Sequence, residues 1–248
     1  MARNILFLVE GESAEVKFLK KLNRITFTED SYEIFSYGTT IYELYDELKK
    51  DDTIDILGLL REKSTNPNKR PLLSNYYSSI FLIFDFDPHY HKYTFNALKE
   101  MLIFFSDDRE NGKLYLNYPM VESIRHLKTM PDKSFRDRCI DFDSIIHYKS
   151  IVNLESNYTD IGKYTYDTIF QMLCHHIAKV EYLVLGKWDL PSLDEYENDY
   201  HQRLLELLVF QDRLIMDRSI SVIATSLFFL IDLKPKSFFT RCKHHSTI

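Results

Sequence analysis

The sequence predicts an α/β protein: a mostly parallel sheet flanked by helices, followed by a mainly α-helical C-terminal appendage. Two apolar runs, at residues 5–9 and 80–84, support this prediction most directly. Runs without polar alternation are typical of strands buried on both faces, as in parallel sheets. Helical patterns separate them from each other and from a third strand pattern at 114–117. Strands that alternate with helices in this way indicate a parallel sheet.

Each element has its own signal. After the first strand, apolar residues at Phe18, Leu19 and Leu22 recur with helical spacing. Later helical patterns follow the second long apolar run and continue to the end of the chain. The predicted elements are helices at 13–24, 41–48, 54–60 and 93–105, a strand at 32–37, a polar loop at 62–71, and a helix opened by Pro119 and Glu122.

The domain prediction follows from a change in sequence pattern near residue 143, after which apolar residues recur mainly with helical spacing. Residues 1–143 are predicted to form the α/β domain, with an insertion at about 38–77, and residues 144–248 the helical appendage. The apolar stretch 220–233 has the length of a buried helix and is shorter than the ~20 residues of a membrane span.

Composition limits the possible partners and compartments. With 31 Lys and Arg against 37 Asp and Glu, the formal charge is −6, which excludes a global positive field. A polyanion must therefore meet a local basic surface or bound metal ions. Three widely spaced cysteines fit a reducing cytoplasm and supply no zinc motif. The first apolar run is too short for a signal peptide. We expect a soluble cytoplasmic protein with no membrane association.

Carboxylates follow both long apolar runs. Glu10-Gly11 comes after the first run, and Asp85-x-Asp87 closes the second. Ligands of open α/β sheets bind at the carboxyl ends of the strands, and strand alternation aims both aspartates the same way. Converging carboxylates repel one another unless a cation intervenes, and oxygen ligands suit Mg²⁺. The sequence therefore predicts an Mg²⁺ or Mn²⁺ site formed by Glu10, Asp85 and Asp87.

This arrangement resembles the Toprim domain over roughly residues 4 to 130. The resemblance implies that Glu10 is a metal ligand or general base, that Asp85 and Asp87 hold metal, and that Glu122 is an additional catalytic acid. The sequence departs from the family after the glycine, where Ser13 takes the usual threonine position and Glu15 comes one residue late.

The resemblance also implies an activity. The chain is similar to the nuclease part of overcoming-lysogenization-defect proteins and to small bacterial anti-phage Toprim effectors. We therefore expect a metal-dependent nuclease that cleaves phosphodiester bonds in RNA, such as tRNA, or in DNA. The sequence has no Walker loop, so a controlling ATPase would have to be a partner. A phage-derived trigger is a second possible partner.

Basic residues after the third strand are candidates for nucleic-acid binding. They are Arg125, Lys128, Lys133 and Arg136. A second basic cluster lies near the end of the chain and carries Phe238 and Phe239. Basic residues interleaved with aromatic ones suit single-stranded or looped nucleic acid.

Other interpretations stay open. Strand-end acids also cap helices or face solvent, and His89 and His91 are either surface residues or contacts to a phosphate or a metal. A haloacid-dehalogenase-like phosphatase would use Asp85 as nucleophile and Asp87 as acid, but Asp85 follows a late strand and His89 fills the usual Thr or Val position. A non-catalytic or partner-activated sensor would instead dock a partner such as an ATPase. The apolar helical appendage also allows a homo-oligomer.

Overall fold

The computed structural model describes residues 3–26, 30–51, 53–64 and 70–243. Residues 65–69 of the predicted polar loop lie outside this part. The fold is α/β, as predicted, with a mixed but mostly parallel sheet and a helical C-terminal region. Among the described residues, every helix is too short or too polar to cross a bilayer.

Within the described residues, eight short strands form two sheets. They are β1 (Asn4–Val9), β2 (Ser31–Ser36), β3 (Ser79–Asp85), β4 (Ser106–Asp107), β5 (Gly112–Tyr118), β6 (Cys139–Asp141), β7 (Ser219–Ser221) and β8 (Ile223–Ala224). The six-stranded sheet has the order β2-β1-β3-β5-β4, and β8 also pairs with β5. β1 is parallel to both β2 and β3, whereas β4 and β8 run antiparallel to β5. β6 and β7 form the second sheet.

The helices carry most of the remaining described chain. They are α1 (Ala14–Thr26), α2 (Ile41–Leu48), α3 (Ile56–Lys63), α4 (Phe95–Phe104), α5 (Tyr148–Glu155), α6 (Tyr166–Leu185), α7 (Leu193–Met216), α8 (Phe229–Leu233) and α9 (Pro235–Cys242). The two longest helices, α6 and α7, both begin with a capping box, in which side chain and backbone of the first turn bond reciprocally. α6 ends at Leu185, and the next residue, Gly186, closes the last turn through its left-handed conformation.

The chain divides into two compact units. The first contains Met1–Phe84 and Pro88–Tyr115, and the second contains Asp85–Asp87 and Leu116–Ile248. The predicted boundary at residue 143 lies later than this division. Residues 116–143 belong with the helical region because they bond to it: Ala224 pairs with Asn117, and the Asp132 backbone N–H donates to His175.

The core of the first unit explains why the strands were predictable. Residues 5–9 of β1 and 80–84 of β3 are all buried, as expected for strands covered on both faces. The predicted insertion at 38–77 is an integral part of this unit. Its helices α2 and α3 bury Leu44, Leu59 and Leu60.

Two predicted helices are wrong. Residues after Pro119 form a short 3-10 helix, Val121–Arg125, because the Ser123 hydroxyl bonds to the carbonyls of Tyr118 and Met120 at 2.6 Å. Side-chain bonds of this kind compete with an α-helix. The stretch 220–233 divides into strand, 3-10 helix and α8. The buried amide of Gln211 bonds to both the N–H and the C=O of Ser221 and holds that segment extended.

Candidate functional site

Glu10 occupies the carboxyl end of β1 in the first unit. Val9 is paired with Ile83 of β3, and the Glu10 N–H donates to the Ile83 carbonyl at 3.3 Å. Glu10 thus continues the pairing by one residue and lies level with Phe84. Its side chain is half-buried. The predicted position at a strand end is confirmed for this acid.

Gly11 makes room for a second carboxylate of the first unit. A Cβ atom at Gly11 would lie 2.6 Å and 2.8 Å from the two carboxylate oxygens of Glu15. Glu15 is buried in the first turn of α1, where the positive end of the helix dipole favours an acid. The position of the Glu15 carboxylate beside Gly11 is seen only in the structure, since no sequence pattern predicts it.

Asp85-Phe86-Asp87 belongs to the second unit, and its burial alternates. Phe86 is fully buried and its ring packs against Tyr118 with centroids 4.8 Å apart. Asp85 and Asp87, on either side of it, are half-buried. The Phe86 N–H donates to the Asn117 carbonyl at 2.9 Å. The inward position of Phe86 agrees with the predicted alternation, in which the carboxylates of Asp85 and Asp87 point away from the core.

Asn117 connects this segment to the C-terminal part of the second unit. Its buried amide accepts a hydrogen bond from the Ser226 hydroxyl at 2.6 Å. The same amide donates to Asp85 Oδ1 over a longer distance, 3.4 Å. Next to it, the Thr225 hydroxyl accepts from the Leu116 N–H and donates to the Leu116 carbonyl. These bonds fix the orientation of the amide and thereby of Asp85.

Sequence reasoning missed Asn117, Thr225 and Ser226 as parts of this arrangement. Asn117 carried a signal, since it is a polar residue inside an apolar strand beside the predicted site. Thr225 and Ser226 carried none, because they lie 109 residues away from their partners in sequence.

The loop that follows Asp87 is anchored within the first unit. Tyr90 donates a short hydrogen bond to Glu43 of α2 and stacks on Tyr42 at 5.2 Å. Lys92 Nζ lies 2.9 Å from Glu43 and 2.7 Å from Asp46. The hydrogen bond from Tyr90 is the main reason that the pKa of Glu43 is lowered. These contacts hold the chain immediately after the two aspartates.

Glu122 lies in the second unit, in the 3-10 helix Val121–Arg125. Its side chain is buried, and its Oε1 lies 3.9 Å from Lys149 Nζ of α5. His126 follows this 3-10 helix, and its ring nitrogens contact Tyr148 at 3.0 Å and Glu155 at 3.3 Å. Burial lowers the pKa of His126 to about 4, so this histidine is neutral near pH 7.

The four predicted nucleic-acid residues differ in exposure. Lys128, Lys133 and Arg136 are exposed, although Arg136 bonds to Asp137 and lies over the Tyr182 ring. Arg125 is half-buried and donates to Asn153 at 2.9 Å. Its Nη1 is buried, and no partner for that atom is found in the described part of the chain. Three of the four are therefore accessible to a phosphate.

The second basic cluster is packed as part of the fold. Phe238 and Phe239 of α9 are buried, and their rings contact Phe170 and Tyr196. Bases therefore cannot stack on them.

The donor atoms suit a hard cation, but they do not form a closed cage. Within residues 3–26, 30–51, 53–64 and 70–243, no three His, Cys, Asp or Glu side chains are gathered as a metal site. Mg²⁺ is commonly held by one or two carboxylates, with waters and substrate phosphates completing its octahedron. Asp85 and Asp87 are two half-buried carboxylates, and the amide group that faces Asp85 is the NH2 of Asn117.

Comparison with family models, curated proteins and solved structures gave no match to this chain. The functional argument therefore depends on the positions and contacts of the residues themselves.

Proposed function

We propose that this protein is a Toprim-like nuclease that uses Mg²⁺ or Mn²⁺ to cleave phosphodiester bonds in RNA, such as tRNA, or in DNA. Its proposed setting is the cytoplasm, as an effector of bacterial anti-phage defence. One observation supports the proposal most. β3 ends at Asp85, two residues before Asp87, and its parallel neighbour β1 is followed directly by Glu10-Gly11.

Each acid has a proposed role. Asp85 and Asp87 would hold the cation, and Glu10 would act as a further ligand or as general base. A bound cation lowers the pKa of a water molecule and stabilises the leaving oxygen in phosphodiester cleavage. Asn117 would keep Asp85 oriented through the contact described above. Glu122 is proposed as an additional acid, close to the basic surface that it precedes in sequence.

The exposed cations Lys128, Lys133 and Arg136 are proposed to bind substrate phosphates. They lie in the second unit, as do both aspartates. Their positive charge would offset the acidic balance of the chain where the polyanion approaches.

The test is a cleavage assay with tRNA, single-stranded RNA and plasmid DNA, in the presence of Mg²⁺ or Mn²⁺. We expect Glu10→Gln, Asp85→Asn and Asp87→Asn to abolish cleavage, because each change removes a charge and preserves side-chain shape. Asp199→Asn, at an exposed acid of α7, is the matched control and should remain active. Circular dichroism should show an intact fold. Cleavage retained by Glu10→Gln would refute the role assigned to that residue.

A partner-activated or non-catalytic sensor is the second candidate, and one observation favours it. In the described residues the carboxylates are not gathered into a three-ligand site, as expected for an enzyme whose site needs a partner, such as an ATPase, to be completed. Titration calorimetry with Mn²⁺ separates the two cases. Metal binding by the isolated wild type that Asp85→Asn abolishes supports the autonomous nuclease. Absence of both binding and cleavage supports the sensor.

A further inference from the structure

The first unit has an open sheet edge bordered by a groove. In the described part of the sheet, β2 is a terminal strand and has β1 as its single neighbour. A groove of about 450 Å³ lies between β2 and the face of α1. The residues that line it include Glu12, Val16, Lys20, Tyr32, Ile34 and Ser36.

The backbone of β2 alternates between its bonded and its open side. The N–H groups of Ser31 and Tyr37 donate to Arg3 and Val9, on the β1 side. In a parallel ladder the residues between these odd positions direct N–H and C=O the other way. Tyr32, Ile34 and Ser36 therefore present their backbone groups at the open edge. Such an edge is a template for a further strand.

We propose that this edge pairs with β2 of a second copy of the chain. In an antiparallel pair with the two-fold axis at Ile34, that residue lies opposite its own copy, and Tyr32 lies opposite Ser36 of the second copy. This register joins all outward-facing backbone groups of the strand. It also places an apolar side chain at the centre of the interface.

The charges of the groove identify the second copy as the occupant. Val16 and Lys20 lie one turn apart on α1, and Glu12 precedes the helix; all three line the groove, with the acid at one end and the base at the other. α1 joins the parallel strands β1 and β2, so it runs antiparallel to them. A two-fold axis perpendicular to the sheet keeps both α1 helices on one face and reverses one against the other. Glu12 then meets Lys20 of the second copy at both ends, which makes the surface self-complementary.

Glu33 is the remaining charged residue of the groove. In this register it lies opposite Phe35 of the second copy and diagonal to its own copy, where like charges are farther apart than in a direct pair. The two acid–base contacts therefore outweigh the one like-charge contact.

The test is the mass of the purified full chain, measured by sedimentation equilibrium over a wide concentration range without substrate. We expect twice the 29.6 kDa of one chain. Glu12→Lys and Lys20→Glu should each give monomers, since each opposes like charges, and the double variant should restore the dimer. Ile34→Pro should also dissociate it, because it removes an outward N–H and leaves the bonds to β1 in place.

Lys17→Glu is the control, because it changes the same charge at an exposed position of α1 outside the groove. It should remain dimeric, and circular dichroism should show all variants folded. A monomeric wild type at every concentration would overturn the proposal. So would a dimer that both single charge variants leave intact, or single variants that dissociate without rescue in the double variant.

Discussion

The Ser226 hydroxyl donates a 2.6 Å hydrogen bond to the Asn117 amide, across 109 residues of sequence. Both side chains are almost completely buried. The bond connects the end of β5 to the 3-10 helix Thr225–Phe228, and through Asn117 it reaches Asp85. The orientation of a proposed metal ligand therefore depends on a serine near the C-terminal end of the described chain.

Ser226→Ala should destabilise the protein by about 1–3 kcal/mol, because it leaves the buried carbonyl oxygen of Asn117 without this donor. The free energy of unfolding, from denaturant titration, measures the effect. Ser150→Ala, at an exposed position of α5, is the control and should change stability little. Equal stabilities of the two variants would contradict the importance of the Ser226 bond.

Lys179 should make stability depend on pH in the alkaline range. Its side chain is fully buried, with Nζ 2.6 Å from the Arg138 carbonyl and 4.7 Å from the Phe135 ring centre. Burial lowers its pKa to about 7 from the ordinary 10.5. Between these values the unfolded chain binds more protons, so the free energy of unfolding should rise with pH, by up to about 1.4 kcal/mol per pH unit.

Below pH 7 Lys179 is charged in both the folded and the unfolded chain. The free-energy cost of burying that charge is then fully present. Lys179→Met should remove the rise between pH 7 and 10.5 when unfolding is measured across that range. Lys163→Met, at a lysine whose side chain is 85% exposed, should keep it. Parallel pH profiles of the wild type and Lys179→Met would disprove the assignment.

Two glycines with positive φ should respond differently to alanine. Gly38 has φ +82° and faces open space among the described residues, so Gly38→Ala should cost only the left-handed backbone strain, about 1–2 kcal/mol. At Gly112, with φ +92°, a Cβ would lie 2.3 Å from Leu82 Cδ1. Gly112→Ala should cost about 1–3 kcal/mol more because it also overpacks the core. Thermal and denaturant unfolding of both variants measure the difference, and equal losses would contradict it.

Lys92→Met should loosen the loop at residues 88–94, because it removes the ion pairs to Glu43 and Asp46. Amide hydrogen exchange in that loop should become severalfold faster, and substrate cleavage should slow. Lys50→Met removes an exposed pair with Glu47 and serves as the control. Unchanged exchange in the loop of Lys92→Met would show that other contacts hold it.

The parts of the fold that were predictable from sequence are those set by local pattern. The predicted helix 41–48 agrees with α2, and the two long apolar runs became β1 and β3 because both faces of each strand are buried. The prediction of one buried helix at 220–233 was wrong because a continuous apolar run suits a buried helix and a buried strand equally. The Gln211 amide, which lies on α7, holds Ser221 in an extended conformation. No local sequence pattern predicts such a bond.

The candidate site shows the same limit. The strand-end positions of Glu10 and Asp85 could be predicted because each directly follows an apolar run. The environment of Asp85 could not, because Asn117 and Ser226 are brought together by the fold. Lys179 was equally unpredictable, since a lysine on a helix is ordinarily solvated.

The pairing of β8 with β5 has a consequence for synthesis of the protein. Residues 116–118 of β5 emerge from the ribosome long before residues 223–226, their bonding partners. Contacts of such long sequence separation form late, and domains fold as units during synthesis. The nascent chain thus carries its strand-end aspartates for most of translation without the bonds that orient Asp85. If the proposed activity is correct, the ribosome-bound chain should be inactive until its C-terminal segment has folded.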